Sequence, residues 1–268
     1  TFVATAQVIV QVGAIPIFYD LDGDAIKDWV RKFGSGNIKA IIPVYIEGAF
    51  DKHFDLILEM AKSKYWHIIE DAAQALGATY DGKKAGSFGI AGCFSFYPAK
   101  ILGAFGDAGA LTTNDEKLYN WVKGARNHFK ETAEDWGVNS RMDNLQAAIL
   151  NIRFKYLEEN LARRKEIAEM YQEGLKDLPI ELPRHIKGRV WQDYIILLID
   201  NKERGNLFDY LKENGVETMK NNYPFPVPKL PLAQEYENKT LRLPCNDVLS
   251  NQEIQHIIKT IRRFYEKA

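Results

Sequence analysis

Cysteine is scarce: the 268 residues include two, Cys93 and Cys245, and neither sits in a CxxC. Two thiols cannot frame a disulfide scaffold, and the simplest compartment for such a chain is a reducing cytoplasm. Histidine is sparse as well, with five scattered residues and no clustered Cys/His/Asp spacing, which argues against a metal site. No uninterrupted apolar run approaches the ~18 residues of a membrane span, and no signal-peptide pattern opens the sequence, so a soluble protein is expected. An excess of one charge is also lacking. Lys and Arg number 35 against 36 Asp and Glu, so composition calls for neither nucleic acid nor an anionic membrane. Arg163, Arg164 and Lys165 are interleaved with Glu and form a solvated helix face. Internal repeats and low-complexity segments are missing too. So is an initiating methionine: TFVATAQVIV already has core-forming character, and the expectation is that residues are missing upstream.

What the chain does contain is an alternation of short apolar runs and amphipathic stretches. Residues 4–12 have helical spacing and stop at Gly13. Residues 15–19 are β-branched and aromatic and predict a strand; 24–33 predict a helix broken by Gly34, Ser35 and Gly36. A strand over 40–44, a helix over 54–62 and strands over 66–69, 93–97 and 110–113 follow, then a helix over 115–124 capped by Asn114. Strands alternating with helices imply right-handed crossovers and a mainly parallel sheet covered on both faces. From Met142 to about Lys176 one long helical pattern runs on, of a kind that connects domains or makes a subunit interface. Beyond Pro179 and Pro183 come a strand over 193–199, a helix over 204–215, the proline-rich NNYPFPVPKLPLAQ and a last helix from Asn251, with Ser250 as its N-cap. The expected architecture is α/β: a large domain over 1–165 and a smaller α+β domain over 166–268.

The stretch from Trp66 to Leu111 carries the chemistry. Two apolar runs in it end at polar residues that a core strand would not choose, Asp71 and Lys100. A carboxylate and an amine at the C-terminal ends of neighbouring strands lie where α/β sheets bind ligands. A salt bridge is the ordinary account of such a pair. Gln74 and Ser95 beside it add a second one, because a cofactor with a basic ring nitrogen and a phosphate needs this set. The carboxylate keeps the nitrogen protonated, the hydroxyl holds the phosphate and the amine forms a Schiff base, which describes pyridoxal phosphate. Gly103, Gly106 and Gly109 are spaced too loosely for a dinucleotide fingerprint.

The segments IIPVYIEG, IIEDAAQALGATYDGKKAGSFG, FSFYPAKILGAFGDAGALTTND, RNH and GVNSRMDNLQAAIL resemble the DegT/DnrJ/EryC1/StrS family of sugar aminotransferases. The resemblance covers the chain and is strongest between Phe2 and Leu150. It implies a fold-type I transferase dependent on pyridoxal phosphate. Such an enzyme acts on a nucleotide-linked keto sugar, with glutamate as amino donor, and serves deoxyamino-sugar or surface-polysaccharide biosynthesis. By the resemblance Lys100 is the Schiff-base lysine and proton shuttle, and Asp71 binds the pyridine nitrogen. Gln74 sits near the ring hydroxyl, Ser95 contacts the phosphate and Phe2 stacks on the ring. Asn139 reaches the phosphate of a neighbouring subunit's cofactor, so a homodimer with shared active sites is implied. A core aromatic is the other account of Phe2, and a helix cap that of Asn139. Arg126 and His128 lie in a loop that could approach substrate or donor; a loop hydrogen-bonding role is the alternative for His128.

Lysine at position 100 favours a transaminase over the family's sugar dehydratases, which carry histidine there. The wording around YPAK and LGAFGDAGA looks closer to C3 than to C4 aminating enzymes. Ile101 stands where the family has Asn, Ala108 interrupts the usual GDGG, and PVYIEG replaces PVHLYG, placing Tyr45 and Glu47 near the sugar site. Family members also carry a segment ahead of TFVAT, with a turn that binds the cofactor phosphate at a helix N-terminus. That difference keeps a second account open, a truncated or non-catalytic relative acting as partner subunit or ligand-binding regulator.

Overall fold

Short strands with a two-residue side-chain alternation build the first of two units. The computed structural model describes residues 1–20, 38–220 and 230–266. One unit comprises Lys39–Asn160 with Lys187–Val190; the other comprises Thr1–Ile38, Leu161–Ile186 and Trp191–Ala268. The expected division at 165/166 differs from this partition, and two contacts explain the difference. The long helical pattern is interrupted by a 3-10 turn at Phe154–Tyr156, separating helix α4, Asn144–Arg153, from α5, Leu157–Leu175. At the other end, the Asp20 carboxylate accepts the N–H groups of Leu232 and Ala233 at 2.9 Å each. It thereby satisfies the N-terminus of α7, Pro231–Lys239, and ties the start of the chain to the C-terminal unit.

The first of these units holds a four-stranded sheet of β1, Ala40–Ile41, β2, His67–Asp71, β5, Ala91–Ser95, and β6, Gly109–Thr112, in the order β1-β2-β5-β6. The first two pairings are parallel and the last is antiparallel. A hairpin of β3, Thr79–Tyr80, and β4, Lys83–Lys84, lies between β2 and β5 in sequence. Helix α2, Phe54–Lys64, buries Phe54, Ile57, Met60 and Ala61 along one face and ends at Tyr65 in the left-handed conformation. Burial of Phe54 and Ile57 contributes ~1.5–3 kcal/mol each. Helix α3, Glu116–Ala125, is capped by Asp115, whose carboxylate accepts the Leu118 N–H at 2.9 Å. The expected cap, Asn114, lies one residue too early.

On the far face of β2 sits a fully buried carboxylate. Glu70 Oε2 accepts from the Tyr45 hydroxyl at 2.9 Å and the Gly86 N–H at 2.6 Å, and Oε1 from the N–H groups of Phe88 and Gly89 at 2.7 and 2.8 Å. The segment 86–89 is thus wrapped under the sheet by one side chain. Gly89 must be glycine here, because a Cβ would stand 2.2 Å from the Ile68 carbonyl oxygen. Tyr45 is buried in turn, its ring 4.1 Å from Phe50 and 5.6 Å from Phe54 between centroids.

The other unit pairs β7, Tyr194–Leu197, β9, Thr240–Leu243, and β8, Met219–Lys220, in an antiparallel sheet ordered β7-β9-β8. Its core includes Ile167, Tyr171 and Leu175 of α5, Leu207 and Leu211 of α6, Asn201–Glu213, and the isoleucine stripe of α8, Asn251–Glu266. Ser250 and Glu253 cap α8 reciprocally, with Ser250 N–H to Glu253 at 2.8 Å and Glu253 N–H to Ser250 at 3.2 Å. Residues 14–20 form no strand, since that segment finds no ladder partner and its Asp20 is held at α7. The helix expected over 24–33 lies outside the described residues. Among the described residues no helix is long and apolar enough to cross a membrane.

Tyr45→Phe should lower stability by ~1–3 kcal/mol by leaving a buried carboxylate oxygen short of one donor. The urea midpoint should fall with an unchanged slope; an unchanged midpoint would remove this hydrogen bond from the account.

Candidate active site

Two acids end β2, and consecutive strand residues face opposite ways. With Glu70 turned into the core, Asp71 is directed to the other face. Asp71 pairs in register with Cys93, Val44 bridges it from the opposite side, and Leu111 extends the row beyond Cys93. Register partners share a face and so do residues two apart, so Asp71, Cys93 and Ser95 lie on one face of the sheet. Gly109 stands opposite Ser95 and adds no side chain. The strand-end backbone is fixed from both sides, since Asp71 N–H donates to the Pro43 carbonyl at 2.9 Å and Tyr45 N–H to the Asp71 carbonyl at 3.0 Å. Asp71 Oδ1 accepts the Ala73 N–H at 3.1 Å, and the carboxylate is half-buried.

Ser95 Oγ accepts the Tyr97 N–H at 3.3 Å, which leaves its O–H to donate to an anion. Gln74 Oε1 accepts the Glu47 N–H at 2.6 Å, which leaves the amide NH2 as the group it can offer. Lys100 is not at a strand end, as the sequence suggests. It lies past β5 on a turn closed by its own N–H to the Tyr97 carbonyl at 2.8 Å. Neighbouring Ile101, Leu102 and Ala104 are buried. Arg153 donates to the Gly103 carbonyl at 2.7 Å, and the Phe105 N–H to Gln146 at 2.8 Å. Position 101 thus points into the core, which accounts for isoleucine there. Lys100 itself is half-buried on this pinned turn.

Arg126, His128 and Asn139 are brought together at one corner of the same unit. Asn127 and Asn139 form an antiparallel bridge, and Ser140 N–H reaches the Arg126 carbonyl at 2.9 Å. His128 holds a φ of 60° there, with its N–H on the Val138 carbonyl at 3.3 Å. Asn139 Oδ1 accepts Arg141 Nε at 2.8 Å, and the N-cap of the following helix is Asp143. The cap account of Asn139 therefore does not hold. Phe2 belongs to the other unit, at the N-cap of α1, Val3–Gln11, and the residue is 56% exposed; it is not a core aromatic there. Tyr45 is corrected outright: its side chain has no exposure and its hydroxyl is committed to Glu70, so it cannot contact a sugar.

Sequence reading missed Glu70 and Arg189. For Glu70 the signal was available in HIIED, since two adjacent acids in a strand must face opposite ways and one must be buried. For Arg189, paired with Glu47 at 3.0 Å, no local pattern could have shown it.

The donor set of a carboxylate and a hydroxyl on one face, an oriented amide and a half-buried amine fits pyridoxal phosphate. Cys93 shares the face, and burial, with the charges of Asp71 and then Glu70, pushes its thiol pKa up. The thiolate is disfavoured, so Cys93 should alkylate with iodoacetamide at pH 8.5 more slowly than a free thiol of pKa ~8.5. Asp71→Asn should speed that reaction by removing the main charge opposing ionisation, as followed by peptide mass spectrometry; an unchanged rate would separate the two groups.

The sequence profile described as the DegT/DnrJ/EryC1/StrS aminotransferase family matches residues 1–262. The "Pleiotropic regulatory protein" of Geobacillus stearothermophilus is 34% identical over 290 aligned residues, covering 99% of this chain and 76% of that protein. The dTDP-3-amino-3,6-dideoxy-alpha-D-galactopyranose transaminase of Aneurinibacillus thermoaerophilus is 35% identical, covering 98% of this chain and 77% of that one. Among solved structures, S. venezuelae DesV in complex with a ketimine intermediate superposes with a TM-score of 0.88 at 30% identity, covering 100% of this chain and 77% of its own. The chain belongs to the DegT/DnrJ/EryC1/StrS aminotransferase family and is a pyridoxal-phosphate-dependent aminotransferase.

Proposed function

We propose that the chain transaminates a nucleotide-linked keto sugar at C3 or C4, with glutamate as amino donor, in the cytoplasm, for deoxyamino-sugar or surface-polysaccharide biosynthesis. The observation that carries this reading is the register row that sets Asp71 and Ser95 on one sheet face, with Lys100 on the pinned turn after the same strand. The name of the Aneurinibacillus relative, a 3-amino sugar transaminase, favours C3. Both cysteines are free thiols, in keeping with a reducing compartment.

Pyridoxal phosphate, when bound, supplies an aldehyde for an amine and a cationic ring that takes up the electron pair released when a proton leaves the neighbouring carbon. Asp71 presents its carboxylate to the ring nitrogen and keeps that nitrogen protonated. Ser95 gives its O–H to the phosphate, and Gln74 gives its NH2 to the ring hydroxyl oxygen. Lys100 would hold the cofactor at its aldehyde through Nζ and, as a free amine, would move a proton from the donor's α-carbon and to the sugar carbon. The family pattern would assign Phe2 to the ring and Asn139 of a second copy to the phosphate in a homodimer. Arg126 and His128, on the loop bridged to the Asn139 segment, are assigned to contacts with substrate or donor. The alternative of a non-catalytic regulator draws on the name of the Geobacillus relative. Joint retention of Asp71, Ser95 and Lys100 weighs against it.

Lys100→Ala should keep the fold by circular dichroism, lose the borohydride-trappable cofactor adduct and lower glutamate-dependent amination by ~10³-fold or more. A retained covalent adduct would take Lys100 out of this role. A screen of nucleotide-linked keto sugars with glutamate tests the substrate class directly.

A further inference from the structure

A buried ion pair lies behind Gln74. Arg189 Nη2 stands 3.0 Å from Glu47 Oε2, with the two side chains 4% and 11% exposed. Desolvating two charges offsets most of what their attraction returns, so such a pair is weak evidence for stability. Its geometry points to another task. Glu47 holds a φ of 57°, a left-handed conformation that a residue with a Cβ adopts only when its surroundings enforce it. In that conformation its N–H meets Gln74 Oε1 at 2.6 Å. An N–H can bond only the oxygen of an amide, so this contact fixes which way the Gln74 amide is turned. The neighbouring backbone is laced to the same four-residue stretch that carries Arg189. Val190 N–H donates to the Gly48 carbonyl at 2.9 Å, and Thr79 N–H to the Gly188 carbonyl at 2.9 Å. A Cβ on Gly48 would stand 2.0 Å from the Val190 carbonyl oxygen, so the two segments run too close for any other residue.

We infer that Arg189 is a positioning residue for the cofactor: through its ion pair it holds the Glu47 backbone left-handed, so that the Glu47 N–H turns the Gln74 amide and directs its NH2 to the ring hydroxyl oxygen. This inference rests on the reading of Gln74 as the contact to that oxygen. Arg189 touches neither cofactor nor substrate in this account. The C-terminal part of the sequence thus reaches back, through residues 187–190, to set one donor of the cofactor site.

The test uses the full chain with pyridoxal phosphate, measuring the dissociation constant of the cofactor and the position of its visible absorption band. Gln74→Ala and Arg189→Ala should each weaken cofactor binding by about tenfold, the equivalent of one hydrogen bond, and should shift the band alike. Combined, they should do no more than either alone. Glycine adopts a φ near 57° freely and keeps the N–H, so Glu47→Gly added to Arg189→Ala should restore band and affinity. The Glu47→Gly/Arg189→Ala protein buries no unpaired charge of this pair, which keeps the test decisive if Arg189→Ala alone does not fold. An effect of Gln74→Ala without one of Arg189→Ala would overturn the inference and leave the reading of Gln74 standing. No effect of Gln74→Ala would overturn both. Failure of the Glu47→Gly/Arg189→Ala protein to bind the cofactor as the unaltered protein does would overturn the backbone mechanism.

Discussion

Glu70, a carboxylate without exposure to water, is the constraint on which the unit of residues 39–160 depends. A charge-bearing group in that position is tolerated only if its oxygens are fully hydrogen-bonded. Four donors meet it, three from the backbone of 86–89 and one from Tyr45. Each donor fixes a segment: Tyr45 brings the turn after β1 onto the sheet, and Gly86, Phe88 and Gly89 close the hairpin against the far face. Because strand side chains alternate, committing Glu70 to the core commits Asp71 to the open face. The acid that holds the fold and the acid proposed to hold the pyridine nitrogen are consecutive residues, separated by the pleat alone.

The same logic extends outward from Asp71. Its backbone N–H and carbonyl are both taken by the segment 43–45, so the residues that follow, Ile46 to Gly48, start from a fixed point. Glu47 then reaches Gln74 through its N–H and Arg189 through its carboxylate. On the other side, β5 carries Ser95 on the Asp71 face and then turns sharply into the pinned loop that bears Lys100. Departures from the family's wording follow this packing. Ile101 is isoleucine because the position is buried, and Ala108 offers its carbonyl to the Phe96 N–H at 2.8 Å, a backbone role indifferent to its side chain.

Much of this was legible in the sequence. Apolar spacing located α2 and α8 nearly to the residue, Ser250 was legible as the N-cap of α8, and the Trp66 to Leu111 stretch announced a parallel pair ending in chemistry. What escaped had physical reasons. Residues 15–19 have strand composition but no ladder partner, and composition cannot supply one. The helical pattern after Met142 does not reveal the 3-10 turn at 154–156, since helical spacing survives a single tightened turn. Tyr45 looked like a sugar contact because PVYIEG stands where the resembled family has PVHLYG near the sugar site, whereas its fate is set by the buried acid Glu70, 25 positions along the chain. Arg189 lies 142 positions from Glu47, a separation at which no periodicity or local motif carries information.

The central claim is that neighbouring acids of one strand divide the work of folding and cofactor binding. The direct measurement is a parallel comparison of Glu70→Gln and Asp71→Asn, both nearly isosteric, by urea unfolding and by the visible absorption of bound pyridoxal phosphate. Glu70→Gln should lower the unfolding midpoint, and the protein that remains folded should show an unaltered band. Asp71→Asn should keep a midpoint close to that of the unaltered protein and lose or shift the band. A stable Glu70→Gln protein with a shifted band, or an Asp71→Asn protein that unfolds early with its band intact, would contradict the account.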